Sequence, residues 1–325
     1  MKEKTGMSEP SRMNLAIEAK GLVKRFGEDV LAVDGVDLAI QANTIYALLG
    51  PNGAGKTTTI NILTTLLEPT EGWAKVAGFN VLEQADEVRK SIGVTFQETI
   101  LDDELTGKQA LDYHARLYRM GKEKRQAKIA ELLALVELEE AANRQVSTYS
   151  GGMKRRLELI RGLMTEPKVL FLDEPTLGLD PQSRARIGDY IVELKEQRGM
   201  SVLLTTHYMD EAEKLSDKVA IIDHGKILTE GTPGELVEQM GADVITITGH
   251  GNQDAFVAKV NDLACCETIT TGNGILQIGV DSGSRRLVEI ISIANDEGYV
   301  VDDISVAKPS LGDVFLKYTG RQFRD

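Results

Sequence analysis

The stretch Gly50-Pro51-Asn52-Gly53-Ala54-Gly55-Lys56-Thr57-Thr58 leaves this chain the least freedom. Residues 44–49, Thr-Ile-Tyr-Ala-Leu-Leu, are apolar and partly β-branched or aromatic, the composition of a buried strand. Residues 56–67 read as a helix. The glycines between them permit backbone angles closed to other residues, so successive N–H groups converge on one anion. The positive N-terminus of the helix faces that same anion. A strand, a phosphate-binding loop and a helix in this order predict an α/β fold that holds a nucleotide. Lys56 then reaches the β- and γ-phosphates, and the Thr57 hydroxyl is placed to ligate Mg²⁺.

Two more apolar strands end in chemistry. Val169-Leu170-Phe171-Leu172 is a short aliphatic and aromatic run, and Asp173-Glu174 follows it directly. Carboxylates at the C-terminal end of a buried strand are costly unless they face a cation or a reacting group. Asp173 is placed to hold Mg²⁺, and Glu174 to polarise an attacking water. Ser201-Val202-Leu203-Leu204-Thr205-Thr206 predicts a third such strand, with His207 at its edge to donate to a γ-phosphate.

These motifs, taken in order, resemble the nucleotide-binding subunit of an ATP-binding-cassette (ABC) transporter over residues 16–240. Phe26 fits the aromatic that stacks on adenine, where the family more often has Tyr. Residues Gly50 to Thr58 fit the Walker A loop, and Gln97 the Q-loop glutamine that touches Mg²⁺ and water and relays to the membrane subunit. Ser150-Gly151-Gly152 fits the family signature. Asp173 and Glu174 fit Walker B and the catalytic carboxylate. Gly178-Leu179-Asp180 fits the D-loop, and His207 the switch histidine. The resemblance implies a P-loop ATPase core with an antiparallel β subdomain and a helical subdomain. It also implies that two copies sandwich ATP, with Ser150 and Gly152 binding the γ-phosphate held by the other copy.

The signature departs from the family pattern at Tyr149, where Leu is common, and at Met153, where Gln is common. Serine and both glycines remain. Met153-Lys154-Arg155-Arg156-Leu157 resembles the branch related to daunorubicin-resistance exporters. So do Leu101-Asp102-Asp103-Glu104-Leu105-Thr106-Gly107 and the closing Pro309-Ser310-Leu311-Gly312-Asp313-Val314-Phe315-Leu316.

Composition bounds the rest. The formal net charge of −13 argues against a protein built to grip nucleic acid. Lys122, Lys124, Arg125 and Lys128 cluster on an amphipathic helix and read as its solvated face. No apolar run approaches the ~20 residues that span a bilayer. Met1 to Asn14 are polar and read as a disordered lead without a signal-peptide core. Adjacent Cys265 and Cys266 read as buried thiols rather than a bridge, and the four histidines have no metal-ligand spacing.

The chain divides, on this reading, into an ABC ATPase domain at 15–241, with its helical subdomain at about 98–165, and an accessory module at 242–325. The predicted order in the module is β-α-β-β-α-β, ferredoxin-like on paper. A last helix, about Ser310 to Tyr318, places Leu311, Val314, Phe315 and Tyr318 on one face. That face is expected to pack on its own module or, in the functional reading, to strengthen a dimer by packing across it or on the partner chain's cassette. The function expected is ATP-driven closure and opening of a homodimer that powers an exporter. It would sit on the cytoplasmic face of the membrane beneath separate spanning subunits. Acidic Glu98, Asp102, Asp103 and Glu104 are expected to attract a basic loop of that partner. A soluble non-transport ABC ATPase is the alternative, but this chain has one cassette and no long coiled-coil insert. An importer subunit is a second, disfavoured by the α/β character of the accessory module.

Overall fold

The computed structural model describes residues 14–320 apart from Glu28, Thr99, Ala242 and Asn273. All but Asn14 of the expected lead lies outside the described residues, as does Asn273 of the turn expected at 272–274. The chain opens with β1 (Leu15–Phe26), β2 (Val30–Gln41), β3 (Ile45–Leu49), α1 (Lys56–Leu63), β4 (Glu71–Val76), β5 (Phe79–Asn80), α2 (Ala85–Ser91) and β6 (Ile92–Thr95). Helices α3 (Gly107–Leu117), α4 (Lys122–Leu135) and α5 (Gly151–Leu163) follow. The chain then returns through β7 (Val169–Asp173), α6 (Pro181–Arg198), β8 (Ser201–Thr206), α7 (Met209–Leu215), β9 (Lys218–Asp223), β10 (Lys226–Gly231) and α8 (Pro233–Glu238).

Strands β3, β6, β7, β8 and β9 pair in parallel in the order β9-β3-β8-β7-β6, and β10 extends the sheet antiparallel to β9. Strand alternation splits each run between two cores. Ile45, Ala47 and Leu49 of β3 join Leu170, Leu172, Val202 and Leu204 and face the helices. Tyr46 and Leu48 join Val169, Phe171 and Leu203 on the other face, under α1 and the antiparallel sheet β2-β1-β4-β5. Both faces are covered, so the strands carry continuous apolar runs.

Caps set the helix limits. Asp180 accepts from the Ser183 N–H at 3.0 Å, Pro181 opens α6, and Gly199 closes it at φ 60°. Helix α8 begins at Pro233, where Thr232 and Glu235 form a reciprocal capping box around the first turn. Helix α1 stops at Leu63, short of the expected 67. There the Thr64 hydroxyl bonds the Ile60 carbonyl at 2.9 Å, and Thr65 turns to φ 67°. The basic cluster is the solvated face expected only at Lys122 and Lys124, which are exposed. Arg125 and Lys128 are buried, Arg125 against Asp112 and Lys128 between Glu131 and Glu166.

The remaining elements are β11 (Asp243–Gly251), α9 (Gln253–Asn261), β12 (Cys266–Gly272), β13 (Ile275–Val280), α10 (Gly283–Asp296), β14 (Tyr299–Ala307) and α11 (Leu311–Thr319). The strand order β12-β13-β11-β14, antiparallel throughout, has the ferredoxin-like arrangement read from the sequence. Helices α9 and α10 close one face over Ile245, Ile247, Phe256, Ile278 and Ile290. Cys265 is buried, Cys266 half-buried, and both are free thiols.

Helix α11 corrects one expectation. Its apolar face is buried within the monomer, mostly in the cassette core and partly against β11 and β12 of its own module, and not on an exposed dimer surface. Leu311, Val314 and Phe315 join the main cassette core with Leu236, Met240 and Val244, and α11 packs on α7 and α8. Tyr318 Oη donates to Gln239 Oε1 at 3.1 Å, and Lys317 Nζ to the Gln239 carbonyl at 3.2 Å. Phe315 is 1% exposed. Phe315→Ala is therefore expected to destabilise the monomer by about 3–5 kcal/mol in chemical denaturation. A loss under about 1 kcal/mol would contradict this packing.

Helix α3 carries a pH-sensitive group. Burial, with Arg161 nearby, lowers the His114 pKa from 6.5 to about 4. The unfolded chain takes up this proton first as pH falls. Stability from His114 is thus intact above the unfolded value of 6.5 and is lost as pH drops towards about 4. His114→Gln should flatten that part of the stability–pH curve; an unchanged curve would show that His114 is not the group responsible.

Candidate active site

The phosphate loop leaves β3 and is pinned from two sides. Asp34 N–H donates to the Gly225 carbonyl at 2.9 Å, and Gly225 N–H to the Ala54 carbonyl at 3.0 Å, so β2 and the β9–β10 turn buttress the loop. Gly55 sits at φ 101°, and a Cβ there would strike the Ala32 carbonyl. Only glycine fits that position.

A pocket of about 510 Å³ opens above the loop, lined by Phe26, Pro51 to Thr58, Gln97 and Glu174, with Val30 and Ala32 from β2. Phe26 is 45% exposed, leaving a ring face free for a base to stack on. Lys56 is buried at the floor, its Nζ 2.7 Å from the Gly50 carbonyl and 3.2 Å from Glu174 Oε1. On the far side, His207 Nδ1 lies 3.2 Å from Glu174 Oε2. The carboxylate of Glu174 is thus held between a lysine from the loop and the histidine after β8.

The backbone beneath it is equally constrained. Glu174 has φ 48°, an unusual conformation for a side chain of this size. Its N–H donates to Thr205 Oγ1 at 2.9 Å, and the Thr205 hydroxyl donates in turn to Asp173 Oδ1. Arg155, buried on α5, donates to the carbonyls of Asp173, Glu174 and Pro175 at 2.9, 2.8 and 2.7 Å. Burial lowers the Arg155 pKa, and the carboxylates of Glu158, Asp173 and Glu174 oppose that shift. The segment bearing His207 is fixed through Glu211, whose carboxylate accepts from the Thr206 hydroxyl, while Tyr208 N–H donates to that hydroxyl at 2.9 Å. Burial raises the Glu211 pKa.

Thr205, Arg155 and Glu211 carry no nucleotide-binding signature, so the sequence gives them no role at the site. The only sign of Arg155 was the basic run after Gly152, which resembled a family branch rather than a role.

Thr57, Gln97 and Asp173 offer a hydroxyl, an amide oxygen and a carboxylate. These are hard oxygen donors, the chemistry that suits Mg²⁺; Thr57 and Gln97 line the pocket, and Asp173 is buried next to Glu174. They fit the ion, and no cluster of three His, Cys, Asp or Glu suggests another metal among the described residues.

The signature lies apart from this pocket. Ser150 caps α5, accepting from the Met153 N–H at 3.3 Å, and Gly152 is buried, where a Cβ would meet Ser183 Oγ at 2.7 Å. Tyr149, the departure from Leu, is buried and donates to the Ala141 carbonyl at 2.7 Å. Ser150, Gly151, Gly152 and Asp180 do not line the pocket of their own chain.

Comparison with known proteins agrees with this geometry. Residues 33–177 match the ABC transporter family model. The chain is 40% identical over 307 residues to the daunorubicin resistance ATP-binding protein DrrA3 of Streptomyces coeruleorubidus, covering 94% of this chain and 96% of that one. It is 42% identical over 310 residues to the Nod factor export ATP-binding protein I of Burkholderia lata, covering 95% and 98%. Among solved structures, cbiO1 of Clostridium perfringens, part of an ABC transporter complex, has a TM-score of 0.65 at 25% identity over 70% of this chain and 92% of that one. The ATP-binding cassette MJ0796, solved as a dimer with ADP and phosphate after hydrolysis, has a TM-score of 0.61 at 28% identity over 66% and 98%. With this pocket and these relatives, the chain belongs to the ABC transporter family of ATP-hydrolysing, ATP-binding proteins.

Proposed function

We propose that this chain is the motor subunit of an exporter, a homodimer seated on the cytoplasmic face of the membrane beneath separate spanning subunits. The observation that carries the reading is the Glu174 carboxylate clasped between Lys56 and His207, each contact at 3.2 Å. The relatives named for drug resistance and Nod factor export supply the direction of transport. Among the described residues no helix is long and apolar enough to cross a membrane.

The clasp suggests a sequence of events. Lys56 cannot hold Glu174 and the phosphates in the same way at once. Binding of ATP draws Lys56 to the β- and γ-phosphates and frees Glu174 to accept a proton from the attacking water. His207 turns to the γ-phosphate. Thr57, Asp173 and Gln97 would hold Mg²⁺, which when bound would neutralise charge on the phosphates. Ser150 and Gly152 of the second copy complete the site, which explains their absence from this chain's own pocket. The γ-phosphate is then the link between copies, and its loss reopens them.

Glu174→Gln keeps shape and removes the base. It should bind Mg-ATP, hydrolyse it at least about 10²-fold more slowly, and accumulate as a dimer in light scattering. Lys56→Ala should lose nucleotide affinity and stay monomeric with ATP. Hydrolysis at the wild-type rate by Glu174→Gln would sink the assignment.

The surface for the membrane partner lies beside the Q-loop. A groove of about 200 Å³ runs between the parallel sheet and α3, lined by Leu66, Phe96, His114, Tyr118 and Arg161. Leu66, Ile100, Leu117 and Tyr118 are 59%, 55%, 80% and 46% exposed, an apolar surface suited to one face of an amphipathic helix. Of the acidic residues named from sequence, Asp103 is engaged by Lys154 at 2.6 Å. Glu98, Asp102 and Glu104 remain exposed to meet a basic flank. Reversing those three charges should cut co-purification with membranes, more so at low salt. Undiminished association would leave the apolar surface alone as the dock.

A further inference from the structure

Arg155 makes a contact set that ordinary packing does not require. An arginine has five N–H donors in a planar fork. Here Nε donates to Pro175, one terminal nitrogen to Phe96 and Glu158 Oε2, and the other to Asp173 and Glu174, so that every donor is used. Four of the five acceptors are backbone carbonyls, three of them in consecutive residues around the catalytic carboxylate. The fifth, Glu158, is 1% exposed and lies one turn along α5. Glu158 spends its other oxygen on the Ile100 N–H at 2.7 Å, and Arg161, a further turn along, donates to the Ile100 carbonyl at 3.0 Å. One helix thus grips the chain at Phe96 and at Ile100, on either side of Gln97. The same helix begins at Ser150.

We propose that Arg155 and Glu158 are positioning residues, a buried pair that locks the Q-loop and the signature helix to the backbone of Glu174 and thereby sets where its carboxylate stands for hydrolysis. The proposal rests on the assignment of Glu174 made above. Thr205 holds Glu174 by its N–H, from β8. Arg155 holds it by its carbonyl, from α5. The residue is suspended between two elements, and its φ of 48° is kept by both. A shift of α5 that carries the signature towards a second nucleotide must drag Phe96, Ile100 and the Glu174 carbonyl with it. Occupation of the signature, the pose of Gln97 and the alignment of Glu174 become a single event. A buried ion pair held for stability alone has no need of this arrangement, since apolar residues of similar volume would serve as well.

The test uses the purified full-length chain and Mg-ATP. Arg155→Lys keeps the charge but has three donors for five acceptors. Glu158→Gln keeps the shape and the bond to Ile100 but removes the charge. Each is compared with Glu174→Gln for ATP affinity, kcat, KM, ATP-dependent mass and melting temperature. The expected result is ATP affinity within about threefold of wild type, a kcat lower by about 10²-fold for Arg155→Lys and less for Glu158→Gln, and accumulation of the ATP-bound dimer as in Glu174→Gln. If Arg155→Lys does not fold, the same split is read from Glu158→Gln. Wild-type kcat in both folded variants overturns the proposal. So does a parallel fall of kcat, ATP affinity and melting temperature, which marks a pair that merely supports the fold. A slow Glu174→Gln beside a normal Arg155→Lys would sink the pair and leave the carboxylate's role standing; a normal Glu174→Gln would sink the carboxylate's role, and the pair with it.

Discussion

The backbone at Glu174 is the point on which the site turns. A non-glycine residue with φ near +48° is disfavoured by about 1–3 kcal/mol and persists only where its surroundings over-determine it. Here they do so from opposite directions. Strand β8 supplies the Thr205 hydroxyl and carbonyl to the Glu174 N–H, and helix α5 supplies Arg155 to its carbonyl. The turn that results aims the carboxylate at Lys56 and His207 rather than along the strand.

The covered parallel sheet makes that turn possible. Its strands are apolar on both faces, so polar groups gather only where the strands end. The C-terminal ends of β3, β7 and β8 lie side by side, and each delivers candidate site residues to one edge: the glycine-rich loop, Asp173-Glu174 and His207. The charge brought there is balanced within the fold. Lys56 and Arg155 are buried with Glu174 and Glu158, so each buried charge has an opposite charge close by.

The accessory module is tied to this machinery through helix α11, through Val244 in the cassette core and through the Thr268 hydroxyl, which donates to the Met240 carbonyl at 3.2 Å. Helix α11 packs on α7, the helix that follows His207, and on α8. It therefore completes the cassette core, and removal of the module at Gly241 would uncover apolar surface on the cassette as well as delete a domain. Leu311 and Phe315 behave as core residues of the domain they are not adjacent to in sequence.

Much of this was legible in the chain itself. Strand, loop and helix around Lys56, the carboxylates after Leu172 and the histidine after Thr206 are local patterns, fixed by residues a few positions apart. The structure brings Phe26, the loop, Gln97 and Glu174 into one pocket. The caps at Asp180 and Gly199 are likewise set by short-range chemistry. What the sequence left undetermined depends on long-range contact. Nothing in the sequence marks Arg155 and Glu158 as a buried pair; the fold makes them one, against residues about 60 positions earlier and 20 later. Arg125 and Lys128 change from surface charges to buried partners for the same reason. The apolar face of α11 announced burial but not its partner, because amphipathicity gives a helix a direction to hide and no address. Sequence alone decided which chemical groups the chain carries and in what order; only the tertiary structure decided which of them touch, since a hydrogen bond or a buried contact is set by distance in space and not by distance along the chain.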